Sequence, residues 1–262
     1  MTAEYALAPK GRDLYRSWVS DPDFSLVIPA YNEERYLPRL LASLAEARER
    51  YAAAGGSVEI IVADNMSTDA TARVAESGGA RVVRVEQRRI AAARNGGAAA
   101  ARGRLLAFLD ADTVRVHSAT FAAITTALAD PRIIGGATGC NLERWSVGLA
   151  LTYAMMMPLV WITGFDTGLV FCRREDFVAC GGYPNELRVA EDVAFLSRLW
   201  RLGRRRGQRL RRLRGYKVVA STRKFDEHGD WHYFGFFWRA PAMLFGARFD
   251  ELADRYWYRP NR

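Results

Sequence analysis

The sequence predicts an α/β fold, built on a mostly parallel central sheet flanked by helices, and three observations lead there. Short apolar runs recur at 24–29, 58–64, 80–86 and 104–110. The segments between them carry apolar residues at helical spacing. Half of the 262 residues are hydrophobic, which is enough for a sizeable core. Strands that alternate with helices need crossover connections, and these make neighbouring strands parallel.

The elements follow in order. "FSLVIP" (24–29) is a buried strand ended by Pro29, and the next segment places Leu37, Leu40, Leu41 and Leu44 on one helical face. "VEIIVAD" (58–64) is the second strand. Ser67, Thr68 and Asp69 supply N-cap residue types for a helix that closes before Gly78-Gly79. "ARVVRVE" (80–86) is the third strand and "IAAARNGGAAAARG" (90–103) a helix, despite its glycine pair. "RLLAFLD" (104–110) is the fourth strand. Further on, "FDTGLVFCRREDF" (165–177) reads as a strand running into a helix, "GGYPNE" (181–186) as a turn, and "EDVAFLSRLWRLG" (191–203) as an amphipathic helix opened by two acids. With no repeat and no clear linker, residues 1–23 are expected to form an N-terminal extension and 24–262 a single domain.

Bulk properties narrow the partners. The net charge is +9, and nine arginines fall between residues 198 and 214, with no acid between Asp192 and Asp226. Such a patch suits nucleic acid, an anionic lipid, a phosphorylated substrate or a solvated face. Cys140, Cys172 and Cys180 form no CxxC and no even framework, so isolated thiols in a reduced compartment are expected. The first eighteen residues lack a basic start followed by an apolar core, so no secretory leader is expected and the cytoplasm is the expected location. The uncharged stretch 145–165 has the length of a membrane span but is interrupted by Pro158. A core helix, or one lying against a membrane or acceptor, is favoured over a true span; lying against a membrane would make the protein peripheral there.

In parallel sheets ligands bind beyond the carboxyl ends of the strands. That rule lines up Pro29-Ala30-Tyr31, Asp64 and Asp110-Ala111-Asp112 along one edge. Two carboxylates one residue apart repel each other and call for a cation; oxygen ligands suit Mg²⁺ or Mn²⁺ shared with substrate phosphates. Asp64 is placed either to accept a nucleobase N–H or to cap the next helix. Arg88, Arg89 and Arg94 either meet diphosphate charge or form solvated surface.

Together these segments resemble the family-2 glycosyltransferases, which have the GT-A nucleotide-sugar-binding fold with a Rossmann-like sheet. "SLVIPAYNEERYLPRLLASL" looks like that family's opening strand and helix. "IIVADNMSTDAT" is similar to its base-binding segment, with Asn65 and Met66 in the places usually held by a second acid and a glycine. "AAARNGGAAAARGRLLAFLDADT" resembles the helix leading into its DXD strand, and the segment from Gly168 to Gly203 its acceptor side. The resemblance divides the domain into a nucleotide-sugar-binding half (24–113) and an acceptor-side half (114–262).

The resemblance implies an inverting transfer of a sugar from a nucleoside diphosphate sugar to an acceptor hydroxyl. Pro29, Tyr31, Glu33 and Asp64 would surround the nucleoside, with Arg89, Arg94, Asp110 and Ala111 lining the rest of the nucleotide sugar. Asp110 and Asp112 would hold a divalent metal, with His228 as a third ligand. Asp192 would be the catalytic base, while Glu191 reads as a helix N-terminal charge. The acceptor is unknown; a lipid-linked one and an anionic membrane surface are candidate partners, and no nucleic acid is expected. The alternatives are a non-catalytic anionic-lipid or nucleotide-sugar binding module, or a sugar-1-phosphate nucleotidylyltransferase. The second would want a Gly-rich, Arg-containing loop where "PAYNEERY" stands.

Overall fold

The computed structural model describes residues 21–163, 165–187 and 190–231. The expected N-terminal extension therefore lies almost wholly outside the described residues, as does 232–262 of the acceptor-side half. The elements are β1 (Phe24–Ala30), α1 (Leu37–Ala53), β2 (Val58–Asp64), α2 (Thr71–Ser77), β3 (Arg81–Arg84), α3 (Ile90–Ala100), β4 (Leu105–Leu109) and β5 (Thr113–Arg115). They continue with α4 (Thr120–Ala129), β6 (Ile133–Leu142), α5 (Val147–Thr163), β7 (Leu169–Arg173), α6 (Arg174–Ala179), α7 (Glu191–Arg205), β8 (Arg209–Ala220) and α8 (Arg223–His228).

One eight-stranded sheet runs β3-β2-β1-β4-β7-β6-β8-β5. β3, β2, β1 and β4 are parallel. β7 is antiparallel to both β4 and β6, β8 is parallel to β6, and β5 is antiparallel to β8. The sheet is thus mostly parallel, as expected, with β7 and β5 reversed. Register aligns Ala30 with Asp64, and β4 reaches its end at Leu109, so the strand exits carrying Tyr31, Asp64 and Asp110 share one edge.

Alternation along β1 explains the two cores. Successive side chains of a strand point to opposite faces. Leu26 and Ile28 join Leu37, Leu40, Leu44, Phe121 and Ile124 beneath α1 and α4. Val27 joins Ile61, Phe108, Val170, Phe195 and Leu199 beneath α3 and α7. All seven residues of β1 are buried, as a central strand covered on both faces must be.

The second half departs from the sequence reading. The arginine run divides between the last turns of α7 and the strand β8, whose pairing with β6 shifts register twice. β6 had no clear signal because Gly135, Gly136 and Gly139 dilute its apolar pattern. Their smallness has a cause: a Cβ on Gly136 would lie 1.8 Å from the Arg211 carbonyl oxygen, and one on Gly135 2.6 Å from that of Phe171. The uncharged stretch forms α5, with Pro158 inside it. Among the described residues no helix is long and apolar enough to cross a membrane. The three cysteines are free, and burial raises all three thiols above their ordinary pKa, which disfavours the thiolate.

A Gly136→Ala substitution cannot be relieved by turning a side chain, because the obstacle is backbone. It should destabilise the protein by about 1–3 kcal/mol or more, the usual range for overpacking. Denaturant unfolding checks this; an unchanged midpoint would mean that β6 and β8 separate without cost.

Candidate active site

The edge expected from sequence is organised around a buried arginine. Arg94 projects from α3, a helix whose Ala91, Ala93, Gly97 and Ala98 allow close approach to the sheet. Its guanidinium, 3 % exposed, donates to Glu191 Oε1 at 2.5 Å, Asp110 Oδ1 at 2.7 Å and Asp192 Oδ2 at 3.0 Å. It also faces the ring of Tyr183, 5.1 Å from the centroid. Tyr183 stacks on Phe195 at 4.3 Å and meets Phe108 edge-on at 5.0 Å, so an aromatic cluster walls the arginine from water. Arg94 is therefore not the solvated surface that was one of its two sequence readings: it is buried and paired with three carboxylates.

Two of those carboxylates come from the start of α7. Ala190 takes a left-handed backbone (φ 61°), which turns the chain sharply into the helix. Glu191 and Asp192 then occupy the first turn, where the helix dipole favours negative charge. Glu191, read from sequence as a helix N-terminal charge, is buried and bound to Arg94. The Asp192 side chain is 16 % exposed. Burial pushes its pKa up to about 7, with the charges of Asp110 and Glu191 adding to the rise and Arg94 opposing it. The Tyr183 hydroxyl makes no hydrogen bond of normal geometry, yet it lies near enough to Asp192 to favour the ionised form.

At the end of β4, Asp110 is 47 % exposed and Ala111 is buried. The backbone oxygen of Asp112 accepts the Ser221 N–H at 3.1 Å, fastening the strand end to the exit of β8. Immediately beyond, Arg223 of α8 makes a bidentate pair with Glu33, donating to Oε2 at 2.6 Å and to Oε1 at 2.5 Å. The same guanidinium lies 3.5 Å from Asp112 Oδ2 and 4.5 Å from the Tyr36 ring centroid. Arginine cations thus stand beside both aspartates, Arg94 in contact with Asp110 and Arg223 at the edge of contact with Asp112. Sequence reasoning missed Arg223, since "STRKFDEH" carries no periodic or motif signal.

The exits of β1 and β2 are laced together. Asn32 (φ 55°) accepts the Thr68 N–H, its own N–H donates to Ser67 Oγ, and the Glu33 N–H donates to Thr71 Oγ1. Pro29 is buried within β1. Tyr31 sits beneath Arg88, whose guanidinium is 4.2 Å from the ring centroid and donates to the tyrosine hydroxyl. Asp64 is buried and accepts the Ser67 N–H at 3.0 Å. Asn65 ties in the third loop by donating to the carbonyls of Val85 and Gln87. Met66, in the place usually held by glycine, has a left-handed backbone (φ 66°) and is 42 % exposed. Arg89 is the half-buried residue before α3, and its N–H donates to the Gln87 carbonyl.

The donor chemistry fits a divalent metal. Asp110 and Asp112 offer hard oxygen ligands one residue apart at a strand end, and Asp110 is open to solvent. Among the described residues no group of three or more His, Cys, Asp and Glu side chains gathers as a ready-made metal cage, so a cation there would rely on these two acids and on substrate oxygens. His228 closes α8, and its side chain lies outside the described residues.

A mostly parallel sheet that presents a DXD strand end and an acidic helix start at one edge defines a GT-A glycosyltransferase. Residues 25–183 match the family described as Glycosyl transferase family 2, and the chain belongs to that family of enzymes. A validoxylamine A glucosyltransferase of Streptomyces hygroscopicus subsp. limoneus is 43 % identical over 95 residues, 34 % of this chain and 20 % of that protein. A 4,4'-diaponeurosporenoate glycosyltransferase of Staphylococcus haemolyticus (strain JCSC1435) is 41 % identical over 73 residues, covering 28 % of this chain and 18 % of that one. The matches span about a fifth of these relatives' length. Among solved structures, the glucosyl-3-phosphoglycerate synthase of Mycobacterium tuberculosis, in complex with Mn²⁺, UDP and glucosyl-3-phosphoglycerate, superposes with a TM-score of 0.58 at 22 % identity, covering 79 % of this chain and 75 % of that one. A Pyrobaculum calidifontis mannosyltransferase in complex with GDP-Man and Mn²⁺ gives 0.60 at 20 %, covering 87 % and 66 %. At these identities the structural likeness establishes the shared fold.

The raised pKa of Asp192 has a consequence for stability. An unfolded aspartate titrates near 3.9. With the folded value raised to about 7, the protonated carboxyl's contribution is complete below about pH 4 and is lost as pH rises towards 7. Asp192→Asn cannot ionise, so its melting temperature relative to the wild type should climb from pH 4 to about pH 7 and then level off. A difference that stays flat over that range, followed by thermal unfolding, would show that Asp192 is already ionised at low pH.

Proposed function

We propose that the protein transfers a sugar from a nucleoside diphosphate sugar to an acceptor hydroxyl, with inversion at the anomeric carbon. The observation that carries this reading is the triad of acids on Arg94. It places Asp110, at the DXD end, and Asp192, at the α7 end, on one guanidinium. A donor held at the first would present its anomeric carbon towards the second.

The laced exits of β1 and β2 form the nucleoside side, with Pro29, Tyr31, Glu33 and Asp64 as its wall. Asp64 accepts a base N–H through the carboxylate that also holds the Ser67 N–H. Asp110 and Asp112 would hold a divalent cation, with His228 as the candidate third ligand; Mg²⁺ or Mn²⁺ bound there would offset the charge developing on the departing diphosphate. The relatives' complexes with UDP, GDP-Man and Mn²⁺ support this assignment. Asp192 takes the proton of the attacking hydroxyl. A pKa near neutrality suits a general base, because it is ionised in part at working pH and still basic enough to accept a proton. Arg94 orients that carboxylate, and Glu191 balances the arginine.

Asp192→Asn tests the reading. Transfer should fall by about 10²-fold or more, the lower end for a lost general base, while calorimetric affinity for the donor and Mn²⁺ stays within a factor of two. Transfer at the wild-type rate would move the proton elsewhere, with Glu191 the first place to look.

The acceptor reading rests on α5. Trp145, Val147, Leu151 and Met155 are exposed on or beside this uncharged helix, and Arg201, Arg204, Arg205 and Arg206 are exposed at the end of α7. Such surfaces favour an acceptor carried on an anionic membrane. Co-sedimentation with anionic vesicles should then occur at low salt and fade as salt rises; no binding at low ionic strength would leave a soluble acceptor.

A further inference from the structure

Arg223 lies beyond the segment that matches the family and is held in an uneven way. Its two contacts with Glu33 are short and bidentate, 2.6 and 2.5 Å, whereas Asp112 stands at 3.5 Å, beyond a normal hydrogen bond. The guanidinium is therefore anchored on Glu33 and only leans on Asp112. It cannot drift far, because Ser221, two residues before it, is fastened by its N–H to the Asp112 carbonyl, and the Tyr36 ring packs at 4.5 Å. All three charged groups are largely shielded: the side chains of Arg223, Glu33 and Asp112 are 14, 10 and 18 % exposed. Water screens their interaction poorly.

We propose that Arg223 competes with a divalent cation for Asp112, so that without an anionic donor a cation is held there only weakly. The inference rests on the reading of Asp112 as a metal ligand. A cation arriving at Asp112 displaces the long contact but not the Glu33 anchor. It must then sit beside a fixed positive charge. A donor diphosphate relieves that repulsion, since it brings negative charge to both cations. The site thus admits cation and diphosphate as a pair and discriminates against either one alone.

The test uses Mn²⁺ alone as the probe, with binding read by calorimetry or by the Mn²⁺ paramagnetic resonance signal. Removing only Arg223 would strip Glu33 of its bidentate counter-charge and change the charge of the site as well as the contact, so the informative variant is the double change Glu33→Gln with Arg223→Gln. It replaces the ion pair by amides of similar size. The double variant should bind Mn²⁺ severalfold more tightly than the wild type, because the cation in contact with Asp112 is removed, an effect only partly offset by losing the Glu33 carboxylate on the far side of the guanidinium. A folded double variant whose Mn²⁺ affinity is unchanged, or which binds no Mn²⁺, overturns the proposal. A second measurement holds if that variant does not fold: in the wild type labelled with ¹⁵N-arginine, adding Mg²⁺ should shift the Arg223 Nε–H resonance. A resonance that stays fixed at saturating Mg²⁺ also overturns it. Asp112→Asn separates the two levels of the argument. If it abolishes Mn²⁺ binding while the Arg223 tests fail, the metal assignment stands and the competition does not.

Discussion

The arrangement of this site depends on one buried cation. Arg94, carried by α3, is the point at which that helix meets the end of β4, which contributes Asp110, and the start of α7, which contributes Glu191 and Asp192. Three carboxylates this close would repel one another strongly without it. Removing one partner of a buried ion pair is costly, of order 3–5 kcal/mol, because the survivors keep their desolvation without compensation. The arginine therefore fixes geometry and charge together. It draws Asp192 and Asp110 into one frame and tempers the rise in the Asp192 pKa that burial alone would produce.

A second cation does related work on the other side of the strand end. Arg223 ties Glu33, just past β1, to the stretch after β4, and does so from the far end of the described chain. The first and last described parts of the fold thus meet at the aspartate pair. The exits of β1 and β2 have a different character. They are held by hydrogen bonds to backbone N–H groups, accepted by Asn32, Ser67 and Thr71 and by the carboxylates of Glu34, Asp64 and Asp69. One half of the edge is set by ion pairs and the other by loop stitching.

These differences decide what the sequence could reveal. β1, β2 and β4 were legible because a strand buried on both faces must be continuously apolar, and because each ends in residues that break that pattern. Asp64, Asp110, Asp112 and Asp192 were legible as acids at element ends. The partners of those acids were not. Arg94 sits in an alanine-rich helix with nothing local to show that it is buried, and its three acids lie 16 to 98 positions away. β6 and β8 were hidden for a physical reason as well: close backbone packing demands glycine, and an edge region tolerates exposed arginines, so neither displays the alternation by which strands are recognised. Met66 shows the limit from the other side. A residue type out of pattern marked the position, but only the backbone reveals that it occupies the left-handed conformation that glycine would adopt more easily.

The small residues of α3 carry a further consequence. A Cβ on Gly97 would meet Val27 Cγ1 at 2.4 Å, so the helix already lies as near to β1 as atoms permit. The spacing between sheet and helix is therefore a ruler, and the reach of one arginine is calibrated against it. Enlarging that face by a single methyl group would lift the guanidinium and, with it, the three acids that follow its position. A substitution remote from the acids would then shift their alignment while leaving each of them present. Variation in the catalytic rate among otherwise intact sites of this design is accordingly to be sought in the unremarkable alanines and glycines underneath.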